Sequence, residues 1–124
     1  MTLTRGQLEA ELSRVVIRFA KEHIGRGPEG ARARIFDDVV FIRLSGVLMP
    51  AERQLSGDLE GARLVKELRL RLMDSAREHL AEVIADLTGC GVVNQYSDLS
   101  TEDGEQVVVF ILDQNLEEKL SSVK

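Results

Sequence analysis

Residues 25–52, GRGPEGARARIFDDVVFIRLSGVLMPAE, contain the end of one helix, a β-hairpin and the start of a second helix. Gly25 is a suitable left-handed helix terminator. Two runs of alternating residues flank Asp37-Asp38, which predicts a two-residue turn because Asp tolerates turn conformations. Pro50 stands where a helix begins, since its missing N–H costs nothing in a first turn. The stretch therefore predicts an α+β fold that contains an antiparallel hairpin.

The predicted hairpin has two different faces, because side chains alternate along a strand. With the turn at Asp37-Asp38, the face directed to the core carries Ile35, Val40, Ile42 and Leu44. The opposite face carries Arg32, Arg34, Phe41 and Arg43. Arg32 pairs with Arg43 in this register, and like charges directly opposite each other weaken a sheet. We therefore expect the arginine-bearing face to meet an anionic partner.

These arginines and the loop before them are the candidate residues for binding an anion or a partner: Arg26, Gly27, Arg32, Arg34 and Arg43. Two kinds of partner fit their charge. One is a set of carboxylates spaced along a later helix, in the same or a second subunit: Asp74, Glu78 and Glu82. The other is a small external anion such as a nucleotide or bicarbonate. Gly27, next to Pro28, is expected to set the angle between the first helix and the hairpin.

The rest of the chain predicts further helices and a second hairpin. A helix over residues 5–23 begins with the capping-box pair Thr4 and Gln7. A long helix over residues 58–88 follows the first hairpin, with an apolar stripe of Leu64, Leu68, Leu72, Leu80, Val83, Ile84 and Leu87. Residues 92–97 and 106–112 then form the second hairpin, and Asp113 caps a short final helix.

These elements predict one domain over residues 1–124, in the order α-ββ-α-α-ββ-α, with a four-stranded, mostly antiparallel sheet packed by helices. The order of the two hairpins in the sheet stays open. The strand VVVFIL at residues 107–112 is apolar on both faces, although a strand covered on one side normally alternates. Either helices cover both sides of the sheet or a second subunit covers one, and we expect a homodimer.

Composition restricts the class of protein. The 124 residues are 44% apolar and 30% charged, as in globular domains, and the net charge of −5 argues against a nucleic-acid partner. The longest apolar run is far shorter than the ~20 residues of a membrane helix, so we expect no membrane insertion. The single cysteine, Cys90, excludes an internal disulfide and fits a reducing cytoplasm.

No segment carries a catalytic motif, so an enzyme is not the favoured interpretation, and we expect neither metal nor cofactor. His23, His79 and Cys90 lack the spacing of a zinc site. Residues 27–30, GPEG, have the GXXG outline with which KH domains hold RNA. The match is weak because its centre is a rigid Pro and an acidic Glu. A helix end followed by entry into a sheet is the better interpretation.

Two long segments resemble the MpsC-like family of small bacterial proteins: GQLEAELSRVVIRFAKEHIGRGPEGARARIFDDVVFIRLSGVLMPAERQL at residues 6–55 and CGVVNQYSDLSTEDGEQVVVFIL at residues 90–112. GRGP and VLMPAE are the most specific parts. The family is named for a sodium-translocating, membrane-potential-generating system. The resemblance therefore implies a role beside membrane transport proteins, in sodium or bicarbonate uptake, and it brings no family active site to transfer. The composition limits such a role to a cytoplasmic accessory.

The favoured function is thus a non-enzymatic accessory or regulatory module that forms a homodimer and works with a membrane transport protein. The alternative is a module that binds an anionic small molecule, a nucleotide or bicarbonate, through its arginines. An RNA-binding module is the weakest of the three. A bound anion between the arginines would favour the second interpretation, and an apolar subunit contact would favour the first.

Overall fold

The computed structural model describes residues 3–121, which form five helices and one four-stranded sheet. The predicted α+β class and the order of helices and hairpins are confirmed. The helices are α1 Arg5–Ile24, α2 Pro50–Leu55, α3 Leu59–Ser75, α4 Arg77–Thr88 and α5 Leu116–Ser121. The strands are β1 Gly30–Phe36, β2 Val39–Ser45, β3 Val92–Ser100 and β4 Glu105–Leu112.

The sheet is antiparallel throughout, with strand order β1-β2-β4-β3. The register of the first hairpin is the predicted one, with Phe36 opposite Val39. Asp37 adopts a left-handed φ of 52°, as a tight two-residue turn requires. Each hairpin contributes one central strand, β2 or β4, and one edge strand. This order, which the sequence left open, places the most apolar strand in the centre of the sheet.

Helix α1 carries the predicted caps. The Thr4 backbone N–H donates to Gln7 Oε1 at 2.9 Å, and the Gln7 N–H donates to Thr4 Oγ1 at 3.1 Å, which completes the capping box. Gly25 ends the helix at φ 94°. Gly27 is not left-handed, but a Cβ there would lie 3.0 Å from Cγ of Lys21. Gly27 therefore allows the loop to pass close beneath the Lys21 stem.

The helices α1, α3 and α4 pack on one face of the sheet, called here the covered face. The sheet residues buried there are Ala33, Ile35, Val40, Ile42, Leu44, Leu99, Val108, Phe110 and Leu112. The helical residues buried against them include Leu8, Leu12, Val16, Phe19, Val65, Met73, Leu80 and Ile84. The core is thus mainly aliphatic, as the low aromatic content predicts, and it lies entirely on this one side.

The predicted long helix over residues 58–88 is two helices that meet at Ala76. Ser75 Oγ donates to the Leu72 carbonyl at 2.8 Å, and such a bond competes with the helical ones and bends the chain. Hydrogen bonding resumes at once, since the Leu80 N–H donates to the Ala76 carbonyl at 3.0 Å. The division is therefore a bend between two helices and leaves the order of elements unchanged.

The predicted apolar stripe is wrong for α3. Leu64 and Leu68 are 52% and 51% exposed, and the buried residues are instead Gly61, Val65, Arg69 and Met73. Gly61 explains the rotation of the helix, because a Cβ there would lie 1.7 Å from the Leu55 carbonyl oxygen at the end of α2. Only a glycine face can approach α2 so closely. Leu80 and Ile84 on α4 are buried as predicted.

Two buried or capping contacts complete the frame. Arg69 Nη1 donates to Glu52 Oε1 at 3.4 Å, a buried ion pair that joins α3 to α2. The final helix is capped by Asn115 and not by Asp113, since the Glu118 N–H donates to Asn115 Oδ1 at 2.9 Å. Asp113 instead accepts the Gly91 N–H at 2.9 Å and ties the end of β4 to the start of β3.

Candidate functional site

The second face of the sheet, called here the open sheet face, is not covered by any helix of residues 3–121. Phe36 and Tyr96 on it are 48% and 59% exposed. The prediction that helices could cover both sides of the two-sided apolar strand is therefore wrong within this range. The strand registers place the following side chains on the face: Arg32, Arg34, Phe36, Val39, Phe41, Arg43, Asn94, Tyr96, Asp98, Val107, Val109 and Ile111.

The register arranges this face as an apolar centre between two charged edges. The central strands β2 and β4 supply Val39, Phe41, Val107, Val109 and Ile111. On the β1 edge, Arg34 lies level with Phe41 and Val109, and on the β3 edge the same row ends at Tyr96. One row further, Arg32 is at the β1 edge and Asp98 at the β3 edge. One edge is therefore basic, and the other offers an aromatic ring and a carboxylate.

The three predicted arginines on this face differ in their contacts. Arg43 Nε donates to Glu105 Oε2 at 2.7 Å, and Arg34 Nη1 donates to the Ala33 carbonyl at 2.8 Å. Arg32 has no hydrogen bond or ion pair within the part of the chain that the structure describes. A shallow cavity of about 360 Å³ lies beside Arg32, Arg43 and Glu105. The Glu105 carboxylate already occupies part of the basic surface there, which weakens its attraction for a free anion.

Arg26 and Gly27 are not part of this surface. Arg26 Nη1 donates to the Leu48 carbonyl at 2.8 Å, and its Nη2 lies 3.7 Å from Glu29 Oε2. The bond to Leu48 fixes the loop between α1 and β1 against the segment before α2, and the contact with Glu29 lies within that loop. The structure therefore brings together Arg32, Arg34 and Arg43 and separates them from Arg26 and Gly27, for which the contacts indicate a structural role.

The predicted internal pairing of the hairpin arginines with a helical acidic row is wrong for residues 3–121. Asp74, Glu78 and Glu82 are exposed on α3 and α4, which pack on the covered face, whereas the arginines point from the opposite face. The sheet itself lies between the two groups. The carboxylate that Arg43 reaches is Glu105, which comes from the neighbouring strand.

Asp98 is the acidic group at the β3 edge. Its Oδ1 accepts the Leu99 backbone N–H at 2.8 Å and lies 3.1 Å from Lys66 Nζ of α3. The Leu99 N–H, followed by the Lys66 ammonium, holds the pKa of the Asp98 carboxyl below its usual value. Asp98 is therefore charged at neutral pH and forms the anionic counterpart to Arg32 across the sheet.

Sequence reasoning missed a second feature, a cleft between α3 and β3 with Arg63, Lys66 and Arg77 on its helical wall. Arg63 and Lys66 are three residues apart on α3, so part of the signal was present as one face of a helix, whereas Arg77 begins α4. The cleft was missed because the predicted apolar stripe put Leu64 and Leu68 on the buried face of α3, which assigned the wrong rotation to the helix. Gln95 and Ser97 on the strand side could not be associated with them before the packing was known.

The two histidines also come together, which the sequence did not indicate. The ring centroids of His23 on α1 and His79 on α4 are 4.9 Å apart, and Phe19 contacts both rings. Among residues 3–121 there is no group of three or more His, Cys, Asp or Glu side chains that could hold a metal ion. Cys90 is buried and unpaired. In the same part of the chain, every helix is too short or too polar to span a membrane.

Comparison with known proteins gives a family and two relatives. Residues 4–114 match the family model described as MpsC, Na⁺-translocating membrane potential-generating system. Uncharacterized protein YbcI of Bacillus subtilis strain 168 is 34% identical over 123 residues, covering 99% of both chains. Uncharacterized protein YrhF of the same strain is 25% identical over 115 residues, covering 92% of this chain and 94% of the relative. No solved structure matches.

Proposed function

The chain belongs to the MpsC family, and we propose that it is a non-enzymatic, cytoplasmic accessory subunit of a Na⁺-translocating membrane system. The observation that carries this proposal is the open sheet face, whose apolar centre and charged edges are suited to binding protein. The family description supplies the membrane system. The single, buried cysteine supports the cytoplasmic location.

The first occupant of the open sheet face in this proposal is a second copy of the chain. Two such faces can stack with a two-fold axis that runs along the strands between β2 and β4. In that arrangement β1 of one subunit lies over β3 of its partner, and each central strand lies over the other central strand. Apolar residues then meet apolar residues in the two rows of Val39 and Phe41, and Arg43 of β2 lies over Val107 of the second copy.

Charge complementarity favours this axis over the alternative. With the axis along the strands, the Arg32 edge lies over the Asp98 edge of the second copy, and the row of Arg34 lies over the row of Tyr96. An axis across the strands would place β1 over β1 and bring like-charged arginines together. In this arrangement the carboxylate that meets Arg32 is Asp98, in place of the helical carboxylates that the sequence suggested.

The size of the face sets the expected affinity. Four strands about 4.8 Å apart and seven residues of about 3.3 Å each cover roughly 19 Å by 23 Å, or about 440 Å². Side-chain relief raises that value, but a standard interface buries about 800 Å² on each partner. We therefore expect a dimer that dissociates at micromolar concentrations, which leaves the open sheet face of the monomer available to a larger partner.

Sedimentation velocity across the micromolar range tests the dimer. The wild type should pass from one to two chain masses, and Val109→Asp should remain monomeric because it places a charge in the apolar centre. Leu68→Asp, an equal change at an exposed apolar residue of α3, is the matched control and should still dimerise. A wild type that stays monomeric, or a Val109→Asp variant that dimerises normally, would contradict the proposed use of this face.

The same two variants connect the dimer to the cellular role. In a strain lacking the protein, Na⁺-dependent membrane potential measured with a voltage-sensitive dye should fall, and Leu68→Asp should restore it while Val109→Asp should not. Full rescue by both variants would show that the accessory role does not require the open sheet face. Stabilisation of the wild type by millimolar phosphate that Arg32→Glu abolishes would favour the anion-binding alternative.

A further inference from the structure

A cleft of about 610 Å³ lies between α3 and the edge strand β3, on the side of the sheet away from the proposed dimer interface. This is within the size range of small-molecule sites in proteins. Its lining residues are Arg63, Lys66, Glu67, Leu70, Arg71, Met73, Asp74, Arg77, Gln95 and Ser97. Because β3 is an edge strand, the cleft between it and α3 is open to solvent at one side, and a ligand can enter without rearrangement of the core.

The cleft is positive in an acidic protein. Four of its lining side chains are Arg or Lys and two are Asp or Glu, whereas the whole chain has a net charge of −5. Lys66 is paired with Asp98 at 3.1 Å and Arg71 with Glu67 at 3.1 Å. Within residues 3–121, Arg63 and Arg77 form no ion pair. Arg63 on α3 is thus free to bind an anion in the cleft, and Arg77 is a separate cation at the start of α4, also unpaired within this range.

Gln95 gives the cleft a second, independent feature. Its side chain is 5% exposed and lines the cleft, yet its Oε1 has no hydrogen-bond partner among residues 3–121. A buried carboxamide oxygen without a donor destabilises a fold, and buried polar groups are normally paired. An apolar residue would suit this position better for stability alone. Its presence is explained if a ligand supplies a hydrogen bond to the amide.

The arrangement of the groups defines the kind of ligand. The Lys66–Asp98 contact places the basic end of α3 beside the Ser97 end of the strand segment. Gln95 is two residues away on the same strand face, which corresponds to roughly 6.6 Å. The side chains of Leu70 and Met73 provide apolar surface in the same cleft. The cleft therefore offers a cationic end, an apolar wall and a hydrogen-bonding amide within the length of one small molecule.

We propose that the α3–β3 cleft binds a small organic anion with an apolar body, with the anionic group at Arg63 and the body against Leu70, Met73 and Gln95. The site is distinct from the arginine-bearing open sheet face. The two surfaces are lined by different residues and meet at the Lys66–Asp98 ion pair. It assigns a ligand-binding activity to α3, the helix whose orientation the sequence did not reveal.

Fluorescence titration with 8-anilinonaphthalene-1-sulfonate, an apolar body with one anionic group, tests the site. Arg63→Glu should weaken binding about tenfold, the loss expected for one charge-assisted contact. Arg18→Glu makes the same charge change at an exposed α1 residue outside the cleft and should leave binding unchanged. N-phenyl-1-naphthylamine, the same body without the sulfonate, should bind at least about tenfold more weakly. Equal binding of both dyes, or equal loss in both variants, would overturn the proposal.

Gln95→Met distinguishes a ligand-directed role of the amide from a structural one. Removing an unpaired buried oxygen should raise the Tm by roughly 4 °C while weakening dye binding about threefold. A lower Tm together with unchanged dye affinity would show that Gln95 serves the fold, and would overturn its part in the site. Sedimentation of the same variant should show the wild-type dimer, so failure of the cleft and failure of the dimer can be told apart.

Discussion

The two faces of the one sheet obey different physical demands. On the covered face, Val40, Ile42 and Phe110 are fully buried under the helices. On the open sheet face, directly beside them in sequence, Phe41 and Val109 remain partly exposed between an arginine edge and an acidic edge. In β1 the residue types alternate with the faces from Ala31 to Ile35, whereas β4 is apolar on both sides from Val107 to Leu112. Both faces of β4 are therefore suited to burial, and the helices bury only one of them.

The largest expected effect comes from removing one phenylalanine ring from each face of the sheet and comparing the losses of stability. Phe110→Ala removes a fully buried ring from the covered face and should lower the free energy of unfolding by about 3–5 kcal/mol. Phe36→Ala, at a half-exposed position of the open sheet face, should cost less than about 1 kcal/mol. Urea unfolding below the dimerisation concentration measures both. Equal losses would mean that the open sheet face is packed within the monomer.

An intermediate effect compares ion pairs on the two sides. Arg43–Glu105 is short, 2.7 Å, but exposed on the open sheet face, whereas Arg69–Glu52 is longer, 3.4 Å, and buried on the helical side. Glu52→Gln keeps an acceptor but leaves the buried Arg69 charge uncompensated, and should cost about 2–3 kcal/mol. Glu105→Gln should cost less than about 1 kcal/mol because water screens that pair. A reversed order would show that distance outweighs burial here.

The smallest effect concerns Asp98 at the edge where the two faces meet. Its folded pKa lies below the ordinary 3.8, so its contribution to stability is present above that value and is lost as the pH falls through the folded pKa. Because Asp98 is exposed, the contribution should be less than about 1 kcal/mol. The free energy of unfolding of the wild type and of Lys66→Ala, measured between about pH 6 and about pH 2, should differ at about pH 6 and converge in acid. A difference in unfolding free energy that stays constant with pH would show that it does not come from the Lys66–Asp98 ion pair.

Local features were largely predictable from the sequence. The Thr4–Gln7 capping box, the Asp37-Asp38 turn and the register of the first hairpin all follow from residues a few positions apart. The two-sided apolar character of β4 predicted that either helices or a second subunit would cover the second face, and among residues 3–121 the helices cover only one face. Arg32, Arg34 and Arg43 were correctly placed on one face of the hairpin, because strand alternation alone decides which face a side chain occupies.

The sequence was misleading where helix orientation mattered. Seven apolar residues over 58–88 suggested a stripe, but a leucine-rich helix offers more than one face that could be buried. The close approach of Gly61 to Leu55 and the buried partner of Arg69, Glu52, select a different face of α3. The α3–β3 cleft follows from that rotation, so it could not be assigned beforehand. Arg26 was likewise grouped with the other arginines by sequence proximity alone.

The sequence by itself determined the kinds of elements, the two ends of α1 and the opposite character of the two hairpin faces. These features depend on backbone hydrogen bonds, caps and side-chain alternation among near neighbours, whose energies the local residues set. Only the tertiary structure decided that β2 pairs with β4, that α3 turns Leu64 and Leu68 outward, and that Gln95 meets the basic side of α3. Those outcomes depend on close packing between residues far apart in the chain, which select one arrangement from several that are locally equivalent.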